Sequence, residues 1–512
     1  MPDRWSTYPI QFTGGLVSNV SQLAQGIQTP GSARVLNNFE PAVDGGYRRI
    51  EGFTKYDDAV VPGTDNIRGV FFLADTAYVA RDDSLYFSGG SGWTELTDNA
   101  TYGSAGINLG AGGNICRFTS LDFDGNTTLI VTDQISKPFR YKAGVFSQLT
   151  GAPSEAAGAS HAIEYKNHLF LASDSNLIFS APFDESDFAP ASGAGSVNVK
   201  ARITGLLLFR ELLIIFTETS ILSLSGNSIS DFNLQPITQD LGCVSEDTIQ
   251  EIGGDVIFLG PDGLRLLSAT QRNNDFGLAV VSKVIQKEAT DFIRSHSSFC
   301  SVTIPSKSQY RILGFNSGYT PDAGRGIIGV QMATQGGEGM SWSETTGIFA
   351  RVATSVYSDR DDVILFANTT GYVYRMESGN TFDGNNIEAD FATPYFPITD
   401  PSTRKTLYKA DVYTDPQGAF TVNLNVLIDY QQAGVIQPNT QTLDNTLGSS
   451  LNYYDTAIYG SAVYSTDQVS SLFKVNLVGS GNVFSFRFSS DDNSAPYSLD
   501  SISIQYAQNG RR

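Results

Sequence analysis

The sequence predicts an all-β protein: a β-propeller of six or seven blades over residues 61–384, an N-terminal extended arm over 1–60 and a C-terminal antiparallel β-sandwich over 385–512. Three observations predict it. A unit recurs in which a short apolar run, a tight polar turn and a second apolar run bearing an aromatic or Leu follow one another. Gly (50), Phe (32) and Tyr (23) are plentiful and turn dipeptides are frequent, which favours short strands. Past Asp383-Gly384-Asn385-Asn386 the pattern lengthens into clean alternation of period two.

Residues 1–60 are punctuated by Gly14-Gly15, Pro30-Gly31 and Gly45-Gly46, and neither a period of two nor one of 3.6 persists there. The segment reads as an extended arm with short strands, packed on another part of the molecule or on a neighbouring subunit. Arg34, Arg48 and Arg49 form a local basic cluster in an acidic protein. Ordinary surface charge and a salt-bridged subunit contact are both open for them.

The recurring unit begins with Val70–Ala74 and Ser84–Ser88 and returns at Leu129. Clear copies follow at Leu169–Ala172 with Leu177–Ser180, Leu213–Thr217 with Ile221–Ser225, and Val256–Leu259 with Leu264–Leu267. A late copy is Val363–Ala367 with Tyr372–Arg375, and Arg311–Phe315 supplies a candidate strand before it. Starts at 129, 169, 213 and 256 give steps of 40, 44 and 43, within the roughly 40–50 residues of a propeller blade. A hairpin cannot bury both faces alone; placing such units around an axis solves that, and stacking them as layers is the alternative. Between copies, Val281, Val284, Ile285, Ala289, Phe292 and Ile293 make a helical apolar stripe, with Ser282 placed to cap it and Lys283, Lys287 and Glu288 facing outward.

In the C-terminal part, Phe420, Val422, Leu424, Val426 and Ile428 alternate with polar residues. So do Phe473, Val475 and Leu477, then Phe484, Phe486 and Phe488, then Ile502, Ile504 and Tyr506. Such alternation puts one face on a core and one in water, as in an antiparallel sandwich. Gln431–Asp467, rich in Asn, Thr, Gly, Ser and Tyr, reads as a long exposed excursion.

With 33 Lys+Arg against 53 Asp+Glu, the formal net charge is −20, which excludes a neutralising grip on nucleic acid. It suits either solubility or a surface past which DNA slides without sticking. No apolar stretch approaches the ~20 residues of a membrane helix, and Met1-Pro2-Asp3-Arg4-Trp5 has no apolar signal region, so stable membrane insertion is not expected. Cys116, Cys243 and Cys300 lie far apart beside apolar residues and read as reduced core residues.

Catalytic constellations are missing from the sequence, and neither enzyme activity, a metal nor a cofactor is expected. There is no phosphate-cradling P-loop, and Gly110-Ala111-Gly112-Gly113 makes no complete dinucleotide fingerprint. His161, His168 and His296 lack zinc-site spacing. Asp122, Asp124 and Asn126 resemble a fragment of a calcium loop but are too few, and Gly125-Asn126 reads as a hairpin turn. Propeller glycosidases need two carboxylates roughly 5–9 Å apart. Glu246-Asp247 and Asp359, Asp361 and Asp362 could face an axis, although neighbouring acids in a strand point to opposite faces. Ser88-Gly89-Gly90-Ser91-Gly92-Trp93 lacks the Asp of a sialidase box.

One long stretch carries a resemblance. Thr29-Pro30-Gly31-Ser32-Ala33-Arg34-Val35-Leu36-Asn37-Asn38-Phe39-Glu40-Pro41, followed by Gly45-Gly46-Tyr47-Arg48-Arg49-Ile50-Glu51-Gly52-Phe53, resembles the opening of tail nozzle proteins of short-tailed bacteriophages, also called packaged-DNA stabilisation proteins. Leu177–Ser180, Pro182, Asp187-Phe188, Ile203–Leu206 and Leu212–Phe216 resemble that family's passage from one blade to the next. The resemblance covers most of the chain as patterns. It implies a structural virion subunit in a homo-oligomeric ring of six that extends and closes the DNA ejection channel below the portal and tail adaptor protein, near tail fibre or spike proteins, assembled in the bacterial cytoplasm. DNA would pass without sequence-specific binding. Arg34, Asn38, Arg48, Arg49 and Phe53 are the subunit-interface candidates, with Gly52 part of the same structural signature and no catalytic role implied. The alternatives are a virion propeller that binds a host receptor or glycan, which rim-exposed Tyr453, Tyr454, Tyr459 and Tyr464 would favour, and a propeller glycosidase.

Overall fold

The computed structural model describes residues 5–103, 106–267, 280–316, 318, 323–334, 337–445 and 471–509. The chain is mostly β, built of many small sheets, as its composition predicts. Four four-stranded antiparallel sheets follow one another: Ile67–Leu73 to Thr94–Glu95, Arg117–Leu121 to Val145–Gln148, His161–Tyr165 to Gly195–Asn198, and Ile203–Phe209 to Asn233–Thr238. A three-stranded sheet, Gln250–Ile252 to Gly263–Leu266, comes next. The strands Ser298–Ile304, Gln309–Phe315, Arg325–Thr334 and Gly337–Thr346 then open a larger, nine-stranded sheet. A last small sheet, Val352–Ser358, Asp361–Ala367 and Val373–Met376, takes its fourth strand, Phe53–Lys55, from the N-terminal segment.

The first strands of neighbouring sheets touch. Ile67–Leu73 lies against Arg117–Leu121, that strand against His161–Tyr165, and that against Ile203–Phe209. Gln250–Ile252 touches Ser298–Ile304, which touches Val352–Ser358, and Val352–Ser358 also lies against Ile67–Leu73. Second strands are buried on both faces because adjacent sheets cover them: Leu169, Phe170, Leu171 and Ala172 are all buried, and so are Leu213, Ile214, Ile215 and Phe216.

Five of these sheets join first and second strands by the same two-residue turn with both φ positive: Ala74-Asp75, Lys166-Asn167, Arg210-Glu211, Gly253-Gly254 and Asp359-Arg360. That geometry matches the right-handed twist of the paired strands. In the first sheet it inserts Thr76–Arg81 between the two runs that the sequence pairs, so Ser84–Ser88 pairs with Thr76–Arg81 rather than with Val70–Ala74. The turn, Ala74-Asp75, has no glycine, so no turn signal in the sequence marks off the intervening strand.

The N-terminal segment packs on the rest of its own chain. Ser6–Gln11 pairs with Tyr497–Gln508, and the hairpin Phe39–Pro41/Tyr47–Arg49 enters the same six-stranded sheet. Val35–Asn37 sits inside the nine-stranded sheet, parallel to Gly337–Thr346 and antiparallel to Ile387–Ala392, and so bonds the middle of the chain to its C-terminal part. It also contains a seven-residue helix, Gln22–Gln28, which no periodicity announces. Phe12, Phe39 and Tyr47 are buried against Phe391, Phe488 and Tyr497. Each such ring contributes about 2–3 kcal/mol by burial.

The alternating C-terminal strands bury the faces the sequence assigns, with Phe420, Val422, Leu424, Phe484, Phe486, Phe488, Ile502 and Ile504 all inaccessible. The six-stranded sheet and the C-terminal strands of the nine-stranded sheet share this one apolar cluster, Phe420 stacking on Tyr497 across it. The start of the expected excursion is partly regular, since Gln441–Asp444 pairs with Thr421–Leu424; residues 446–467, with Tyr453, Tyr454, Tyr459 and Tyr464, lie outside the described residues. The predicted helix comprises a 3-10 turn, Val281–Ile285, and an α-helix, Gln286–Ser295, burying Ile285, Ala289 and Phe292. Ser282 does not cap it: its hydroxyl is buried and accepts the Leu264 amide at 3.0 Å. Glu288 does not simply face water either, but accepts the Ser18 hydroxyl.

Candidate functional site

A cleft of about 550 Å³ opens where the first strands of several sheets converge. Arg117, first residue of its strand, reaches the 3-10 turn Glu246–Thr248 that precedes the three-stranded sheet. Its Nη2 lies 2.6 Å from Glu246 Oε2, while Nε and Nη2 donate to Asp247 at 2.7 and 2.8 Å. Arg202 continues the chain of charges, 3.0 Å from Glu246 and 3.5 Å from Glu218. In a strand, Glu246 and Asp247 would face opposite ways; the turn brings both carboxylates to one guanidinium.

Burial opposes the charge of Arg117, but Asp247 and Glu246 outweigh it and raise its pKa further. Burial pushes the Glu246 carboxyl up against the pull of Arg117. His161 is held well below the usual histidine value by burial and then by Arg117 and Arg202, so it is neutral at pH 7. Arg351, also in the wall, has its pKa lowered by burial and the nearby Arg68; its guanidinium donates to the Ile67 and Gly113 carbonyls. The Gly110–Gly113 loop is thus an acceptor for arginines, with Arg68 donating to Gly110 at 3.0 Å, rather than a phosphate cradle. Asp359, Asp361 and Asp362 stay away from this cleft. Asp359 lies in the hairpin turn between Val352–Ser358 and Asp361–Ala367, Asp361 pairs with Arg375 at 2.7 Å, and Asp362 accepts from Ser306.

The interface candidates are brought together by the N-terminal segment, and their contacts are largely internal. Asn38 is buried with φ 53; its amide donates to the carbonyls of Thr346 and Glu388 at 3.0 and 2.8 Å and accepts from Thr345 and Thr346. Arg49 is fully buried, donating to the Asp492 and Ser494 carbonyls, 3.6 Å from the Asp492 carboxylate. Phe53 packs among Phe366, Tyr374 and Phe382. Arg48 pairs with Glu51, and Arg34 donates to the Thr393 carbonyl while lying over the Tyr395 ring. What these five side chains hold is the chain to itself. Asn38 and Phe53 also border a second cavity, of about 410 Å³.

An ionic knot beside them has no sequence signature. Lys307 and Arg311 each lie 2.9 Å from Glu40, Arg311 is 2.7 Å from Glu377, and Lys307 also pairs with Glu377. Burial raises the Glu377 carboxyl, but Arg311 and Lys307 together hold it at about 2. Glu40 and Arg311 stand 271 positions apart, so only the fold assembles them.

The Asp122–Asn126 stretch is a turn, with Gly125 N donating to Asp122 at 2.7 Å and Asp124 paired with Lys142. Cys116, Cys243 and Cys300 are free and buried; burial pushes the first two thiols up to about 12 and the third higher still. Among the described residues, no group of three or more His, Cys, Asp and Glu is placed to hold a metal ion, and no helix is long and apolar enough to cross a membrane.

No protein-family model and no curated protein matches the chain. Among solved structures it is similar to the extracellular domain of a one-component system from B. thetaiotaomicron, with a TM-score of 0.39 and 8% identity over 72% of this chain and 44% of that one. It is also similar to the CNH domain of AfRom2, with a TM-score of 0.35 and 9% identity over 64% of this chain and 100% of that one. The chain spans less than half of the first of these, and both likenesses are too distant to inform fold or activity.

Proposed function

We propose that the chain is a structural subunit of a tail nozzle of a short-tailed bacteriophage, one of six copies in a ring that extends and closes the DNA channel below the portal and adaptor. The observation that carries this reading is the use made of the stretch that resembles that family. Residues 29–53 pass through three sheets: Asn38 bonds both neighbours of Val35–Asn37 in the nine-stranded sheet, Arg49 ties the six-stranded sheet to Asp492 of the nine-stranded one, and Phe53 packs inside the last small sheet. Such a stretch belongs to a scaffold rather than to a catalytic pocket.

In this reading the seven successive sheets, counting the first four strands of the nine-stranded one, are blades of a propeller. Contacts between successive first strands support it, as does the contact between Val352–Ser358 and Ile67–Leu73. Phe53–Lys55 would close the circle by completing the last blade. The formal charge of −20 suits a wall that repels phosphate and lets DNA slide.

Light scattering and negative-stain images of the purified chain, alone and with the tail adaptor, test the proposal. Rings of six are expected. A chain that stays monomeric with the adaptor and is missing from purified tails ends it. Depolymerisation of a host polysaccharide, abolished by substituting Glu246 or Asp247, would replace it with a glycosidase.

A further inference from the structure

The Arg117 cleft has features that a scaffold does not require. Thr204 stands in its wall, 4% exposed, and its hydroxyl is buried with no hydrogen-bond partner in the protein. A buried hydroxyl left without a partner costs about 1–3 kcal/mol, so such groups mark places where something else completes the bond. Beside it the Arg202 guanidinium is half exposed and the Glu218 carboxylate slightly more so.

The charges in the wall cancel. Arg117, Arg202 and Arg351 stand against Glu218, Glu246 and Asp247. An anion would meet three carboxylates, and a cation three guanidinium groups. Arg117 already engages Glu246 and Asp247, which leaves neither carboxylate free for a metal. What remains is a dense alternation of donors and acceptors with no net charge. Val244, which is exposed, and Phe315 add an apolar edge. The volume, about 550 Å³, lies within the roughly 300–1,000 Å³ of small-ligand pockets.

We propose that this cleft binds a neutral saccharide, a short glycan of two or three rings. Hydroxyl groups both donate and accept, so they match paired guanidinium and carboxylate groups without disturbing their charge balance. The C–H face of a sugar ring suits the Val244 and Phe315 edge. The Thr204 hydroxyl gains its missing partner from the ligand, and Arg202 and Glu218 flank the entrance. The inference stands apart from the nozzle reading, since a ring subunit and a monomer would present the same cleft.

The test is saturation-transfer NMR on the full chain with maltotriose, N-acetylchitotriose and a mannotriose, with inorganic phosphate and triglycine as comparison probes. At least one trisaccharide is expected to be saturated and recovered intact. Arg202→Gln and Thr204→Val are each expected to weaken its binding at least fivefold. Thr204→Val keeps the shape of the side chain and removes only an unpartnered hydroxyl, so folding is retained, which circular dichroism checks. Arg210→Gln, in an exposed hairpin turn that does not line the cleft, is expected to leave binding unchanged. The proposal is overturned if no trisaccharide is saturated, if both variants bind like the parent, or if phosphate or triglycine displaces the saccharide.

Discussion

Asp500 is where this acidic chain pays most visibly for its charge. It sits half-buried on the strand Tyr497–Gln508, and burial, then Asp415 and Asp44, raises its carboxyl to about 6. The folded state therefore binds a proton more tightly than the unfolded chain, whose value is near 3.8. The stabilisation from that proton is full below the unfolded value and is lost as pH rises through about 6. Two units would correspond to roughly 3 kcal/mol, but solvent screens a side chain this exposed, and about 1 kcal/mol is the reasonable expectation. Asp500→Asn should raise unfolding free energy in urea by that amount at pH 7.5, by clearly less at pH 4, and by almost nothing near pH 2.5. An equal gain at every pH would mean that ionisation of the carboxyl is not the cause. Elsewhere single residues resolve their charge differently: Arg49 is satisfied by two carbonyls and a nearby carboxylate, and Glu377 is neutralised by two bases.

At the scale of elements, the strictest repeat is not the one that composition displays. The turn between first and second strands has the same left-handed geometry in five sheets, yet only Gly253-Gly254 spells it with glycine. Ala-Asp, Lys-Asn, Arg-Glu and Asp-Arg do the same work, each accepting the cost of a left-handed backbone, about 1 kcal/mol or more per residue. Replacing Asp359-Arg360, at φ 50 and 70, by Asn-Gly should therefore raise stability by about 0.5–1 kcal/mol, read from the thermal midpoint. A loss would show that those side chains hold contacts that outweigh the strain. This explains what was legible in the sequence. Second strands such as His168–Ser173, Leu212–Thr217 and Asp255–Gly260 carry near-continuous apolar runs, and the alternating C-terminal strands carry their own period, so both are readable. First strands such as Arg117–Leu121 and His161–Tyr165 are half-exposed and mixed, and no local pattern marks them. The cleft was only half readable for the same reason. Glu246-Asp247 stand out in the sequence as adjacent acids, while Arg117, Arg202 and Thr204 join them solely through the convergence of those first strands.

For the whole molecule, the decisive question is whether the N-terminal segment is an arm to be lent to a neighbour or a part of the fold. Its basic cluster and irregular pattern suggest the former. Its contacts argue for the latter: Val35–Asn37 is an interior strand of the nine-stranded sheet, Phe53–Lys55 completes the last small sheet, and Glu40 enters the buried knot with Lys307 and Arg311. Removing residues 1–55 would expose the apolar surfaces now covered by Phe12, Phe39, Tyr47 and Phe53, four rings worth about 2–3 kcal/mol each. It would also leave Arg311 and Lys307 buried without Glu40, and a broken buried pair costs about 3–5 kcal/mol. Those losses together match or exceed the roughly 5–15 kcal/mol by which folded proteins are stable. The truncated chain should therefore lose its cooperative thermal transition and be recovered aggregated, rather than folding into a subunit that fails only to assemble. Circular dichroism and gel filtration distinguish the two outcomes. A monodisperse, cooperatively melting truncation would show that the segment is a detachable arm and that its contacts here add little to stability.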